Sequence, residues 1–428
     1  MMNHEMARYD AYKDSGVEWL GDVPKHWEVS HLKRFCTKIT DGAHTSPDLS
    51  SNDYPFLTVV NLEKGILDFE GCLFTSCVDY EKLVRNGCQP KKYDVLYSKD
   101  GTISETAVIH EDRYFVVGSS FIIIRPHKKM SNSVYLYYVL ASSIMLYQAR
   151  IYVKGASLPR ISIFNITKLI SVLPPIHEQK AIADYLDTKT THIDRKIDLL
   201  TQKATQYGKL KQSLINETVT RGLDKNVAMK DSGVDWIGEV PKHWEVKRLK
   251  NLAYIKTGGK DTIDNVEDGS YPFFVRSQTI ERINSYSFDG EAILTAGDGV
   301  GVGKVFHYVN EKFDYHQRVY KISHFKGVIG KFIFYYMREN FHKDALRLNA
   351  KSTVDSLRMP MFQNFSIAFG NIEEQQRIVD YLDTKTAHID RIIDTINTQI
   401  NKLKELRKTL INDVVTGKIR VAMKGEAV

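Results

Sequence analysis

Apolar residues return every seven positions along two stretches of the chain. In the first, Leu186, Ile193, Leu200, Tyr207 and Leu214 fall in step, with Ile197 and Ala204 three or four residues off that line. In the second, Leu382, Ile389, Ile396, Leu403 and Leu410 do the same, flanked by Ile393 and Ile400. This is the apolar seam of a coiled coil, with charged residues over much of the remaining surface. No proline or glycine interrupts 178–207 or 373–416, and Gly208 costs only about 1 kcal/mol against alanine. A helix from Glu178 to Thr220 is about 64 Å long at about 1.5 Å per residue. Neither stripe can be buried on its own module, so the two helices are expected to pack on each other. Each buried Leu or Ile should contribute roughly 1.5–3 kcal/mol.

Elsewhere short β-rich runs prevail: Tyr93–Ser98, Ser119–Ile124, Ala292–Thr295 and Lys304–Val309, bounded by Gly, Asp or Ser turn signals. One aromatic-rich helix is predicted near 132–150 and another near 328–347. The stripe Tyr135, Tyr138, Ser142 and Met145 reads as core rather than as a platform for stacked bases.

The patterns come in pairs because the chain is written twice. Residues 14–33, DSGVEWLGDVPKHWEVSHLK, and 231–250, DSGVDWIGEVPKHWEVKRLK, are identical at 15 of 20 positions. Residues 176–198 and 372–394 agree at 17 of 23, SLINETVT at 213–220 answers TLINDVVT at 409–416, and VAMK occurs at 227–230 and 421–424. Between these blocks, 34–175 and 251–371 keep only echoes. Val95-Leu96 and Asp100-Gly101 are spaced like Ile293-Leu294 and Asp298-Gly299, and Leu136-Tyr137-Tyr138 recurs as Phe334-Tyr335-Tyr336. One fold is therefore expected twice, about twenty residues shorter early in the second copy, on a constant frame. Two equal sites would give little reason for the modules alone to diverge.

The expected fold class is α+β: two α/β modules separated by an antiparallel pair of long coiled-coil helices, with a pseudo-twofold internal repeat. The boundaries read as 1–175 for the first module with its N-terminal frame segment, 176–230 for the central helix, 231–371 for the second module and 372–428 for the distal helix.

Composition narrows the class. A chain of 428 residues with 43% hydrophobic and 26% charged content is a multidomain globular protein. No apolar stretch approaches a membrane span, and MMNHEMARYD has no apolar export core, so a cytoplasmic location is expected. The four cysteines, Cys36, Cys72, Cys77 and Cys88, form no CxxC pair and fit no usual zinc ligand set, so they read as unpaired thiols. A net charge of +7 permits a polyanionic partner without requiring one.

Motifs for catalysis fail one by one. GDGVGVGK at 297–304 has Asp298 where a phosphate loop requires glycine and Val305 where it requires Ser or Thr. It reads as a glycine-rich turn that lets backbone approach something closely, such as a phosphate. Pro174-Pro175 lacks the flanks of a methyltransferase base pocket. His192-Ile193-Asp194 and His388-Ile389-Asp390 place His and Asp two apart on a helix, where they do not face each other, so they read as helix contacts rather than a metal site.

What remains is a set of basic, amide and hydroxyl residues in loops. They are Thr40, His44, Lys99, Thr102, Lys154, Ser157 and Arg160 in the first module. In the second they are Lys256, Thr257, Lys260, Arg276, His316, Gln317, Arg318, Lys351, Ser352 and Arg358. Such groups pair with base edges and hold phosphates. For each one singly, a solvated surface explains it as well.

DSGVEWLGDVPKHWEV, VLPPIHEQKAIADYLD and their repeats resemble the specificity subunits of type I restriction–modification systems, over nearly the whole chain and in the family's order. The second copy departs where Pro174-Pro175 becomes Gly370-Asn371, and the first module lacks a counterpart of His316-Gln317-Arg318, a segment similar to part of some family recognition domains. The resemblance implies a non-catalytic subunit whose two modules each read half of an interrupted site in double-stranded DNA, with the helices fixing the gap. It implies two modification subunits docked on the frame, around Glu178, Gln179, Asp184 and Tyr185 and around Glu374, Gln375, Asp380 and Tyr381. Restriction subunits would join them. No cofactor is expected in this chain; S-adenosylmethionine, ATP and Mg are expected on the partners. The rival readings are a stand-alone methyltransferase or nuclease, and a scaffold whose modules bind protein or glycan.

Overall fold

The computed structural model describes residues 8–153, 159–299, 302–348 and 357–421. Two compact units divide the chain: Met1–Leu199 with Gln399–Val428, and Leu200–Thr398. The division falls within both long helices, Ile176–Arg221 (the central helix) and Ile372–Val415 (the distal helix), so each unit holds a segment of each. The long heptad stretches thus do form helices, and Gly208 is carried through without a break.

In the first unit, hairpin Tyr12–Asp14 with Asp22–Pro24 leads to strand Glu28–His31, which pairs antiparallel with Ile170–Leu173 just ahead of the central helix. The Asp14 carboxylate accepts the Gly16 N–H at 2.9 Å, and Gly16 takes a positive φ of 71° that side-chain-bearing residues resist. Asp231 and Gly233 repeat this geometry in the second unit, at 2.9 Å and 71°. The conserved spelling of the repeat is therefore a turn requirement. Trp27, 0% exposed, plugs the space beneath the strand, as Trp244 does in the second unit.

The helix segments run antiparallel inside each unit. In the first, Arg407 Nε lies 2.9 Å from Asp194 while the Tyr135 hydroxyl donates to the Val172 carbonyl at 2.9 Å and approaches Val415 O at 3.4 Å. In the second, Lys211 Nζ lies 2.6 Å from Asp390, and Lys343 reaches Asn216 at 2.9 Å. The HID aspartates are thus contacts to the facing helix, while His192 and His388 are exposed.

The sheets carry the clearest trace of duplication. The first unit has a four-stranded antiparallel sheet in the order Thr106–Val108, Val95–Ser98, Phe121–Pro126, Cys36–Asp41, and a separate three-stranded sheet in the order Val116–Val117, Tyr54–Leu57, Leu73–Thr75. The second unit has one six-stranded sheet in the order Tyr254–Thr257, Val319–Ser323, Phe288–Ala296, Phe306–Tyr315, Tyr271–Phe274, Ile280–Ile283. Phe306–Tyr315 does in one unbroken strand what Thr106–Val108 and Val116–Val117 do in two. Registers agree, with Val95 opposite Ile124 and Ile293 opposite Ile322.

Two expectations need correction. The aromatic helix near 132–150 is two helices, Ser133–Ala141 and Ser143–Tyr152, whereas its counterpart Gly330–Leu348 is continuous. Ser142 ends the first and caps the second, accepting the Met145 N–H at 3.3 Å. Serine competes with the helix through such local bonds, and the second copy has Glu339 at this position. The aromatic echo is also one residue out of register. Tyr138 donates to Asp187 and meets Thr190, and the residue making the same contacts to Asp383 and Thr386 is Tyr335, not Tyr336. The stripe Tyr135, Tyr138, Ser142 and Met145 is buried core.

Candidate nucleic-acid interface

Both units bring the same loops together at one end of the sheet, by the same device. After strand Cys36–Asp41 the chain passes Gly42, where a Cβ would collide with the carbonyl oxygens of Val117 and Gly118. Its neighbour Ala43 donates to Val117 O at 2.8 Å. After Tyr254–Thr257, Gly258 stands in the same relation to the carbonyls of Tyr315 and His316, and Gln317 N–H donates to Lys260 O at 2.7 Å. Backbone this close requires glycine.

In the first unit Asp41 organises the cluster. It takes the Lys99 ammonium at 2.7 Å and His44 Nε2 at 2.9 Å. Lys99 is only 6% exposed, so it braces the loop from inside, while His44 is exposed. Arg160 is held by Asp100 at 2.7 and 3.2 Å, and Ile161 N–H donates to Lys99 O at 3.1 Å. Thr102 is exposed, and Ser98 Oγ donates to its carbonyl. Thr40, with Asp41, His44, Thr45 and Asn86, lines an open groove. Thr40, His44, Lys99, Thr102 and Arg160 therefore converge; Lys154 and Ser157 lie outside the described residues.

In the second unit Asp298 plays the organising part. Arg276 and Arg318 both point a guanidinium at it, at 3.1 and 3.5 Å, while remaining substantially open to solvent. His316 is 3% exposed and accepts the Arg318 N–H at 2.9 Å, which makes it a brace like Lys99. Gln317 donates to Asp261 beside Lys260. Lys256 and Thr257 close the adjoining strand, and exposed Arg358 precedes a short helix, Met359–Asn364. Lys351 and Ser352 lie outside the described residues. The glycine-rich turn is corrected in part: a Cβ on Gly297 would strike the Tyr320 ring and the Arg318 carbonyl, so the chain it approaches is its own.

Sequence reasoning overlooked Asp41, Asp298 and Lys321. No local pattern marks the acids as organisers; the fold places basic groups around them. Lys321 sits inside a strand, 5% exposed, with its ammonium 3.3 Å from the Phe288 ring centroid. Burial, then the neighbouring Lys256 charge, lowers its pKa to about 8.

The frame residues behave differently from expectation. Gln179 and Gln375 are fully buried. Gln179 accepts the Asn132 N–H at 2.8 Å and donates to Met130 and Pro174 carbonyls at 2.8 Å, and Gln375 binds Ile329 N–H and Gly370 O likewise at 2.8 and 2.9 Å. These amides hold their own unit together. Glu178 is also turned inward, accepting from Trp27 Nε1 at 3.0 Å and the Tyr9 hydroxyl at 3.3 Å, with His26 at 2.6 Å. Glu374 keeps only the histidine contact, to His243 at 2.8 Å. The Pro174-to-Gly370 change preserves the turn, since both carbonyls accept from the buried glutamine. Asp184 and Asp380 are exposed, and Tyr185 and Tyr381 half-buried.

Among the described residues no group of three His, Cys, Asp or Glu side chains is placed to hold a metal ion, and no helix is long and apolar enough to cross a membrane.

The family model for the type I restriction modification DNA specificity domain matches residues 24–206 and again 241–404. The type I restriction enzyme MjaVIII specificity subunit of Methanocaldococcus jannaschii is 26% identical, over 93% of this chain and 94% of that relative. The type I restriction enzyme EcoDI specificity subunit of Escherichia coli is 28% identical over 42% of this chain and 40% of that relative. A solved structure from work on the complex assembly and conformational transition of the type I R-M system has the same fold. Its TM-score is 0.69 at 16% identity, covering 92% of this chain and 98% of that one. The chain belongs to the family of type I restriction–modification DNA specificity subunits.

Proposed function

We propose that this member of the specificity-subunit family reads a bipartite site in duplex DNA, one half with each unit's loop cluster. The carrying observation is that one backbone arrangement, fixed by Gly42 and Gly258, displays two different side-chain sets. A shared scaffold with unlike donors suits unlike half-sites: His44, Thr102 and Arg160 in one, Lys260, Arg276, Gln317 and Arg318 in the other. Two guanidinium groups on one carboxylate offer the forked donors that suit guanine O6 and N7. The recognition modules are taken as 1–175 and 231–371, with 176–230 and 372–428 as the frame that sets the spacer.

On this reading the repeated faces carrying Asp184 and Tyr185, and Asp380 and Tyr381, dock two modification subunits, with restriction subunits joining that complex. Those partners supply S-adenosylmethionine-dependent adenine methylation and ATP- and Mg-dependent cleavage in the cytoplasm. This chain supplies sequence choice alone. Adenine methylation mapping by long-read sequencing, in cells with the chain and its modification subunit against cells lacking the chain, tests the reading. One interrupted motif methylated on both strands is expected. An unchanged methylome, with the partner expressed and bound, would instead favour a scaffold.

A further inference from the structure

Lys321 is a buried cation in a place that ought to be apolar. It lies on the strand Val319–Ser323, opposite Leu294 on one side and opposite Lys256 on the edge strand. Like charges directly opposite in an antiparallel pair destabilise it. No described carboxylate forms an ion pair with Lys321; its ammonium rests against Phe288 at 3.3 Å and Tyr315 at 5.6 Å. The register-equivalent pair in the first unit is Thr40 opposite Ile123, with Ile123 1% exposed in an apolar cluster. The fold therefore does not need a lysine here. Burying an ammonium is costly unless something negative pairs with it.

We propose that Lys321 and Lys256 form an anion site that takes one phosphate of the DNA backbone beside the second unit's loop cluster. Placement supports this occupant. The next rung, Thr257 opposite Tyr320, leads into Gly258 on one strand and, past Val319, to Arg318 on the other. Lys321, 5% exposed against the aromatic wall of Phe288, sits in a low-dielectric setting in which a phosphate–ammonium contact is strong, while Lys256 opposite it is open to solvent. The inference rests on the DNA-reading function and gives the second unit a backbone anchor that the first unit does not have at this position.

The experiment uses the full chain and a duplex bearing the motif found by methylation mapping, with affinity measured across a salt series. Lys321→Met and Lys256→Met should each weaken binding several-fold and make the log affinity–log salt slope shallower by about 0.9, one phosphate contact. Lys321→Arg should keep the slope, and the methylated motif should stay the same in all variants because phosphate contacts position rather than specify. Removing a buried charge should not lower the melting temperature, so a folded Lys321→Met chain is available. An unchanged slope and affinity in folded Lys321→Met overturns the site while leaving DNA reading intact. So does loss of inorganic phosphate binding in that variant with no change on DNA, which would mark a free-phosphate site. If the parent chain shows no preference for its motif duplex, the DNA-reading function itself is wrong.

Discussion

The two units build one topology around opposite electrostatic solutions. In the first sheet, Arg125 forms a two-pronged ion pair with Asp94, at 2.8 and 2.7 Å, and Asp94 is fully buried. The register-equivalent residues in the second unit are Ala292 and Ser323, which face each other without charge. Two rungs away, on the same face, the preference reverses: Ile123 is apolar where Lys321 is charged. The first unit neutralises this buried charge internally, and among the described residues the second offers Lys321 no carboxylate. Equal backbones therefore need not have equal partners, and an uncompensated charge is the more informative of the two.

The comparison can be broken most sharply at Asp94 and Arg125. Arg125→Ser alone should cost about 3–5 kcal/mol by stranding a buried carboxylate. The double change Asp94→Ala with Arg125→Ser, which installs the second unit's pair, should recover most of that loss. Urea unfolding of the three chains checks it, and equal losses in single and double variants would refute the equivalence.

A smaller contrast sits at the frame glutamates. Glu178→Ala strands the Trp27 indole and should destabilise by about 1–3 kcal/mol, whereas Glu374→Ala loses only a half-exposed histidine contact and should cost under about 1 kcal/mol. Hydrogen exchange at strands Glu28–His31 and Glu245–Arg248 reads each unit separately. Equal acceleration in the two variants would mean the extra donors on Glu178 contribute nothing.

The smallest effect concerns pH. Lys256 and Tyr315 face Lys321 directly, and His324 contacts it through Phe288. Tyr315 is pushed up to about 12 by burial and Asp314, so it does not titrate near Lys321's value of about 8. A lysine pKa lowered in the folded state means the unfolded chain binds more protons between that value and the ordinary one. Stability should therefore rise as pH climbs above about 8. A phosphate prefers the ammonium, so DNA affinity should fall by a few-fold over the same window. Lys321→Met should flatten both trends; a pH profile identical to the parent's would show that Lys321 is not the titrating group.

Local pattern carried a great deal of this protein. A seven-residue period fixes which face of a helix is apolar, so both long helices and their seams were legible from one strand of text. The exact repeat of Asp-Ser-Gly-Val encodes a turn, because only glycine takes the positive φ at Gly16 and Gly233 without strain. The family likeness was legible for the same reason: it lies in contiguous frame segments. Side-chain partnership was not. Asp41 and Lys99 stand 58 residues apart, and nothing local announces that strand pairing will bring them to 2.7 Å. The split of one long strand into two, the one-residue slip between Tyr138 and Tyr335, and the inward turn of Gln179 and Gln375 were decided the same way. Periodicity assigns a residue to a face. What stands opposite on that face depends on registers set by the packed core, and so does whether a lysine such as Lys321 finds an acid there.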